Sequence, residues 1–121
     1  MKKILIIDDD RQLCDMYQHK FVDAGYGVMV AHDGKLGLVN AFETKPDLIL
    51  LDVSMPYIDG MTVLRRIRED SWGKKVPVIM LSNLDATGDI LEGVVETKPS
   101  YYILKVDSTP EEVLQKIKEI L

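Results

Sequence analysis

The sequence predicts an α/β protein built on one parallel sheet with helices over both faces. Short apolar, β-branched runs at Lys3–Ile7, Val28–Ala31, Asp47–Leu51, Val76–Leu81 and Tyr101–Leu104 alternate with segments of helical period. The runs are nearly continuous in apolar character, the pattern of strands buried on both faces. A chain of 121 residues with 46% hydrophobic residues is enough for one core. A single domain over residues 1–121 is therefore expected, with no linker or second domain after Leu121.

The first strand, Lys3–Ile7, runs into three consecutive acids, Asp8, Asp9 and Asp10. Leu13, Tyr17, Phe21 and Ala24 then mark one face of a first helix, and Gly25 fits its C′ position. Cys14, on this helix, reads as a small half-buried filler rather than a reactive thiol. After the second strand, Asp33 is placed to cap a second helix carrying Leu36, Val39 and Phe42. The third strand ends at Asp52, and Pro56 and Gly60 fix a turn before a third helix with Met61, Leu64 and Ile67 inward. Arg65, Arg66 and Arg68 near its end suit the macrodipole. The fourth helix, Asp85 to Glu96, is the weakest by composition, because Gly88, Gly93 and the pair Val94-Val95 all lower helix propensity. The fifth opens on Thr109-Pro110-Glu111-Glu112, a capping box with proline at the first helical position, and carries Val113, Ile117 and Leu121 on one face. Five such units fit the flavodoxin-like doubly wound order 2-1-3-4-5, with five helices.

Several function classes are disfavoured by composition. The net charge of −5 and pI near 4.9 argue against a nucleic-acid surface, which needs clustered Lys and Arg. Ile4 to Ile7 is too short for a signal-peptide core or a membrane span, so a cytoplasmic location is expected. One cysteine cannot form an internal disulfide, and no Cys/His cluster offers a zinc site.

In open α/β sheets function gathers at the carboxyl ends of the strands, near the switch in strand order. There the first strand offers Asp8, Asp9 and Asp10, the third Asp52, the fourth Ser82 and the fifth Lys105. In the order 2-1-3-4-5 the first and third strands are neighbours, roughly 4.8 Å apart, so their terminal carboxylates face one another. Such a pair repels by roughly 4 kcal/mol at an effective dielectric of 20, which a cation would remove. All-oxygen ligands with no His or Cys among them point to a hard ion, and few carboxylates plus waters and a phosphate suit Mg²⁺ better than Ca²⁺. Asp10 by itself reads better as the cap of the first helix. Asp52, the opposing acids, the Ser82 hydroxyl and the Lys105 cation together form a parts list for phosphoryl transfer to a carboxylate. Singly, each part has a plainer reading: Ser82 as a turn residue, Lys105 as a surface charge, Tyr102 as a half-buried aromatic. His19 and His32 read as surface or helix-end residues, on the premise that neither lies at an acidic strand end.

Across nearly its whole length the chain closely resembles the receiver domains of response regulators. The residues that carry the resemblance are Ile4 to Asp10, Leu50-Leu51-Asp52, Met55-Pro56 with Asp59-Gly60, Pro77 to Ser82, and Tyr102 with Lys105. It implies that Asp52 is the phosphoacceptor, Asp9 a direct metal ligand, Asp8 a ligand through water and the Ser54 carbonyl a further ligand of Mg²⁺. It implies that Ser82 is the switch hydroxyl, Lys105 the counter-charge of the phosphoryl group and Tyr102 the aromatic that changes rotamer. It implies a sensor histidine kinase or phosphotransfer protein as donor. Output is expected through a downstream effector protein or a homodimer on the face of the fourth helix, fifth strand and fifth helix, and no turnover of an outside substrate.

Two departures stand out. Val106 replaces the proline usual after the lysine, and Gly93 to Ser100 replaces the usual Gly/Ala-rich lead into the fifth strand. A non-proline cis bond costs about 2.5–4 kcal/mol, so the Lys105-Val106 peptide is expected to be trans. Three rivals remain. A haloacid-dehalogenase-type phosphatase would use Asp8 and Asp10, but Gln12 stands where Thr or Val is expected and no cap domain follows. A degenerate receiver would bind partners without phosphorylation, against the retention of all five chemical positions. An FMN binder would need a Ser/Thr/Gly-rich phosphate loop after the first strand, which is absent.

Overall fold

The computed structural model describes residues 1–121. The elements alternate along the chain as β1 (Lys3–Ile7), α1 (Arg11–Asp23), β2 (Gly27–Ala31), α2 (Gly34–Thr44), β3 (Leu48–Asp52), α3 (Gly60–Glu69), β4 (Val78–Ser82), α4 (Gly88–Thr97), β5 (Tyr101–Leu104) and α5 (Pro110–Ile120). All strand pairs are parallel and the sheet order is β2-β1-β3-β4-β5, as the sequence predicts. β1 and β5 have the expected limits, and those of the other three strands differ by one or two residues. β4 begins at Val78 rather than Val76, because Pro77 has no N–H to give the ladder and serves only as acceptor for Ile49 N–H at 3.0 Å. No helix is long and apolar enough to cross a membrane.

Successive strand residues point to opposite faces, so the core is split into two layers by the sheet. On one side Leu5, Ile7, Ile49, Leu51, Val78 and Met80 pack against α2, α3 and α4. On the other Ile4, Ile6, Leu48, Leu50, Ile79 and Leu81 pack against α1 and α5, through Tyr17, Phe21, Val113 and Ile117. Each fully buried Leu, Ile or Phe contributes about 1.5–3 kcal/mol of transfer free energy. Both layers are thus needed to hold the strand ends in place.

Helix starts follow the sequence closely. Asp10, Asp33, Asp59 and Thr109 each accept the N–H of the residue three places on. Gly25, at φ +97°, lies just past the end of α1. Thr87, before α4, makes no such bond, and α4 begins at Gly88, three residues later than expected. Cys14 is fully buried rather than half-buried.

Two helices make contacts that hydrophobic spacing and charge placement do not show. Leu36, Val39 and Phe42 do not form the core face of α2; they are 53%, 44% and 37% exposed, and the buried face is Gly34, Gly37, Leu38 and Ala41. The reason is close approach. A Cβ on Gly37 would stand 2.7 Å from Ile7 Cδ1, so α2 lies on β1 through its small residues and turns the large ones outward. Arg68 is likewise more than a complement to the α3 dipole. Its guanidinium donates to the carbonyls of Thr97, Gly73 and Val76 at 2.7–2.8 Å, tying the ends of α3 and α4 to the approach of β4. Burial pulls its pKa down from the ordinary arginine value.

β5 runs into a single 3₁₀ turn over Lys105–Asp107, and the chain has no cis peptide bond. The Lys105-Val106 bond is therefore trans, as the valine predicts.

Candidate functional site

The registers Ile7↔Ala31 and Ile7↔Leu51 bring the ends of β2, β1 and β3 level, so Asp8 and Asp52 emerge side by side. Asp8 is 3% exposed and Asp52 4%, whereas Asp9 faces solvent. One carboxylate oxygen from each of the three lies within 4.8 Å of the others. The sequence-predicted acids are thus brought together. Asp10 points elsewhere: its side chain caps α1 by accepting Leu13 N–H at 3.1 Å, and its own N–H donates to Asp8 Oδ1 at 2.9 Å.

Lys105, at the end of β5, reaches across to the pair. Its Nζ stands 3.2 Å from Asp8 Oδ2 and 3.5 Å from Asp52 Oδ1. Ser54, two residues past Asp52, directs its N–H to Asp52 Oδ1 at 3.4 Å. The loop that carries Ser54 is closed by Gly60, whose N–H donates to Val53 O at 2.8 Å. A Cβ at Gly60 would lie 2.0 Å from the Asp52 carbonyl oxygen, so any side chain there would push the end of β3 out of place.

Charge at the site does not balance. Burial raises the Asp52 pKa to about 7, with the neighbouring Asp8 charge adding to it and Lys105 opposing it. Asp8 is also raised, again chiefly by burial, against the bond from Asp10 and the attraction of Lys105. For Lys105, burial pulls down, but Asp52 and Asp8 together outweigh it, so the ammonium stays charged. One ammonium faces three carboxylates, and the donor set is oxygen only. This fits a small hard divalent cation and offers nothing to a softer metal.

Ser82 ends β4 fully buried, and its hydroxyl accepts the N–H of Leu84 at 2.9 Å. Tyr102 on β5 donates its hydroxyl to the carbonyl of the same residue at 2.6 Å. The two predicted switch residues therefore hold opposite ends of Leu84. Leu91 and Val95 on α4 and Val106 in the turn after β5 are exposed apolar residues.

One premise of the sequence reading fails. His32 does lie at an acidic strand end: it follows β2 directly, is half-buried, and sets Nδ1 3.2 Å from the Asp8 carbonyl oxygen. Cys14 Sγ approaches the same oxygen at 3.3 Å. Burial, with the charge of Asp8 next, pushes the thiol pKa up to about 12, so the S–H stays a donor. The sequence signal was the register itself, since Ile7↔Ala31 puts Asp8 opposite His32 one step on. His19, by contrast, is exposed on α1.

Comparison with known proteins agrees with this geometry. The family model described as "Response regulator receiver domain" matches residues 4–118. Among curated relatives, the DNA-binding dual master transcriptional regulator RpaA of Synechocystis is 37% identical over 121 residues, covering all of this chain and 49% of its own length. The alkaline phosphatase synthesis transcriptional regulatory protein PhoP of Bacillus subtilis is 37% identical over 120 residues, covering 99% of this chain and 48% of its own. The chain thus spans about half the length of these relatives. Among solved structures, the Vibrio cholerae chemotaxis protein CheY4 superposes with a TM-score of 0.89 at 29% identity, covering 100% and 99% of the two chains. The Thermotoga maritima response regulator TrrA, solved in complex with Mg²⁺-BeF, gives 0.86 at 28% identity over 100% of both. By sequence, fold and the acids at the end of its sheet, this chain belongs to the response regulator receiver domains of two-component signalling.

Proposed function

We propose that Asp52 accepts a phosphoryl group from a phosphohistidine donor, with Mg²⁺ held by Asp8, Asp9, Asp52 and the Ser54 carbonyl. The observation that carries this reading is the charge imbalance: two buried carboxylates and a third beside them, answered by one ammonium. A fold with no use for that arrangement would have replaced one acid, because unpaired buried charge costs several kcal/mol. When bound, Mg²⁺ supplies a charge that screens these acids from one another and from the incoming phosphate. An Asp52 carboxylate oxygen attacks phosphorus in line as the nitrogen–phosphorus bond of the donor breaks, leaving an acyl phosphate that water later hydrolyses. Lys105 Nζ, already 3.5 Å from Asp52 Oδ1, shifts to the new phosphoryl oxygens as their counter-charge.

Ser82 is the hydroxyl placed to turn toward that phosphoryl group. In turning it gives up Leu84 N–H, and Leu84 is the residue whose carbonyl Tyr102 holds. The event at Asp52 thus reaches the α4–β5–α5 face, where an effector protein or a second copy would dock. The domain promotes only its own phosphorylation and dephosphorylation, works in the cytoplasm, and takes its phosphoryl group from a sensor histidine kinase or a phosphotransfer protein. Residues 1–121 act as one unit.

The test is labelling with acetyl phosphate and Mg²⁺, read by intact mass and site mapping. Wild type is expected to gain one phosphoryl group on Asp52, Asp52→Asn none, and excess EDTA should abolish it. Labelling lost in Asp8→Asn but kept in Asp52→Asn would replace this reading with the phosphatase-like one. Normal signalling by Asp52→Ala would instead make the chain a phosphorylation-independent binding module.

A further inference from the structure

The carbonyl of Asp8 lies one step past the sheet ladders, which end at Ile7 on both sides. Asp8 N–H is satisfied by Ala31 O at 3.1 Å, but its carbonyl faces no backbone donor. Two side chains from different elements meet it instead: Nδ1 of His32, from the β2–α2 turn, at 3.2 Å and Sγ of Cys14, from the first turns of α1, at 3.3 Å. With Asp10 N–H on Oδ1 and Lys105 on Oδ2, every polar atom of Asp8 has a partner.

We infer that His32, seconded by Cys14, is a positioning residue that fixes the Asp8-Asp9 peptide plane and so aims the Asp9 carboxylate at the cation position. This rests on the reading that Asp8 and Asp9 hold Mg²⁺. The peptide is planar, so pinning the Asp8 carbonyl also sets the Asp9 N–H and the direction in which its Cα leaves. Asp9 needs that help more than its neighbours do. It is exposed and lies beyond the strand, while Asp8 and Asp52 are held by burial and by Lys105. Partners that orient metal ligands from behind affect affinity by about 10–100-fold. A carbonyl can only accept, so His32 must carry its proton on Nδ1. Cys14, with its weak S–H donor, adds a smaller share.

The alternative is that His32 merely satisfies a buried carbonyl, with an effect on stability alone. Mg²⁺ titration of the folded protein, followed by calorimetry beside urea unfolding, separates the two. His32→Leu is expected to weaken Mg²⁺ binding about tenfold, at the lower end of that range. His32→Asn, whose side-chain amide can place an N–H where Nδ1–H lies, should return it to within about twofold of wild type. Cys14→Ala should lose less than His32→Leu. In metal-free protein at pH 8, imidazole ¹⁵N resonances should show His32 protonated on Nδ1. Mg²⁺ affinity unchanged in His32→Leu, or a proton on Nε2 in place of Nδ1, would overturn the inference. If wild type binds no Mg²⁺ at all, the metal reading falls first, and an Nε2–H His32 would then remove the positioning contact as well.

Discussion

The carboxyl end of β1 and β3 and the helix α4 are built in opposite ways. At the strand ends every polar atom of Asp8 is engaged, Asp52 is buried, and a backbone loop closes within 2.8 Å under Gly60. In α4 the first turn has no side-chain cap, two glycines interrupt ten residues, and only Gly93 and Thr97 are buried. Its firm attachment is at the far end, where Arg68 holds the Thr97 carbonyl. Charge must be placed to tenths of an ångström for phosphoryl transfer, whereas a surface read by a partner has to move. On the function proposed above, the stiff region would carry the chemistry and the loose one the message, with Leu84, held by Ser82 and Tyr102, as the joint between them.

The largest effect that would sharpen this contrast comes from two glycines. Gly60→Ala would drive a Cβ to 2.0 Å from the Asp52 carbonyl, a backbone atom with nowhere to go; a loss of about 3 kcal/mol and loss of labelling are expected. Gly93→Ala meets the ends of two flexible side chains, Met61 Cε at 2.5 Å and Arg65 Nη2 at 3.1 Å, which can turn aside. Against that stands a gain of about 1 kcal/mol in helix propensity, so its net change should stay within about 1 kcal/mol. Urea unfolding of both variants checks this, and similar losses would erase the distinction.

A second test compares α4 with α5. The latter has a bonded Thr109 cap, Pro110 at its start and Val113, Leu114 and Ile117 buried. Hydrogen exchange should show α4 amides opening well before those of α5; the reverse order would refute the picture. The smallest effect is at the joint. Leu84 is 45% exposed and apolar, so it offers attacking water no hydrogen bond. Leu84→Asn should change the acyl-phosphate lifetime by several-fold while leaving stability within about 0.5 kcal/mol, as surface substitutions usually do. Equal lifetimes would count against it.

Much of this was legible in the sequence because the strands are apolar and the helix caps are local. Asp10, Asp33 and Thr109 act within three residues of themselves, so no tertiary information is needed to see them. The acids at strand ends were legible once the strand order was fixed, since neighbours in space follow from topology. What escaped depends on contacts between elements. The face of α2 is set by how closely Gly37 approaches Ile7, which hydrophobic spacing does not encode. Arg68 looked like any basic residue at a helix end, because its carbonyl partners come from the connection before β4 and from the end of α4, 29 residues on. His32 was misjudged for the same reason: its acidic neighbour is 24 residues away in sequence and adjacent only across the sheet.

On the proposed reading the strand ends carry more negative charge than the protein alone can hold. The most direct test is unfolding free energy against pH, with and without Mg²⁺, for wild type and Asp52→Asn. Because burial raises the Asp52 pKa from 3.8 to about 7, the folded state keeps a proton there that the unfolded chain gives up. Stability from this group is full below pH 4 and is lost as pH rises through 7. Metal-free wild type should therefore lose stability relative to Asp52→Asn between pH 4 and 8, with the variant ahead by about 1–3 kcal/mol at pH 8. Mg²⁺ should restore most of the difference in wild type and little in the variant. An Asp52→Asn protein less stable than wild type at pH 8 without metal, or a wild type indifferent to Mg²⁺, would contradict the account.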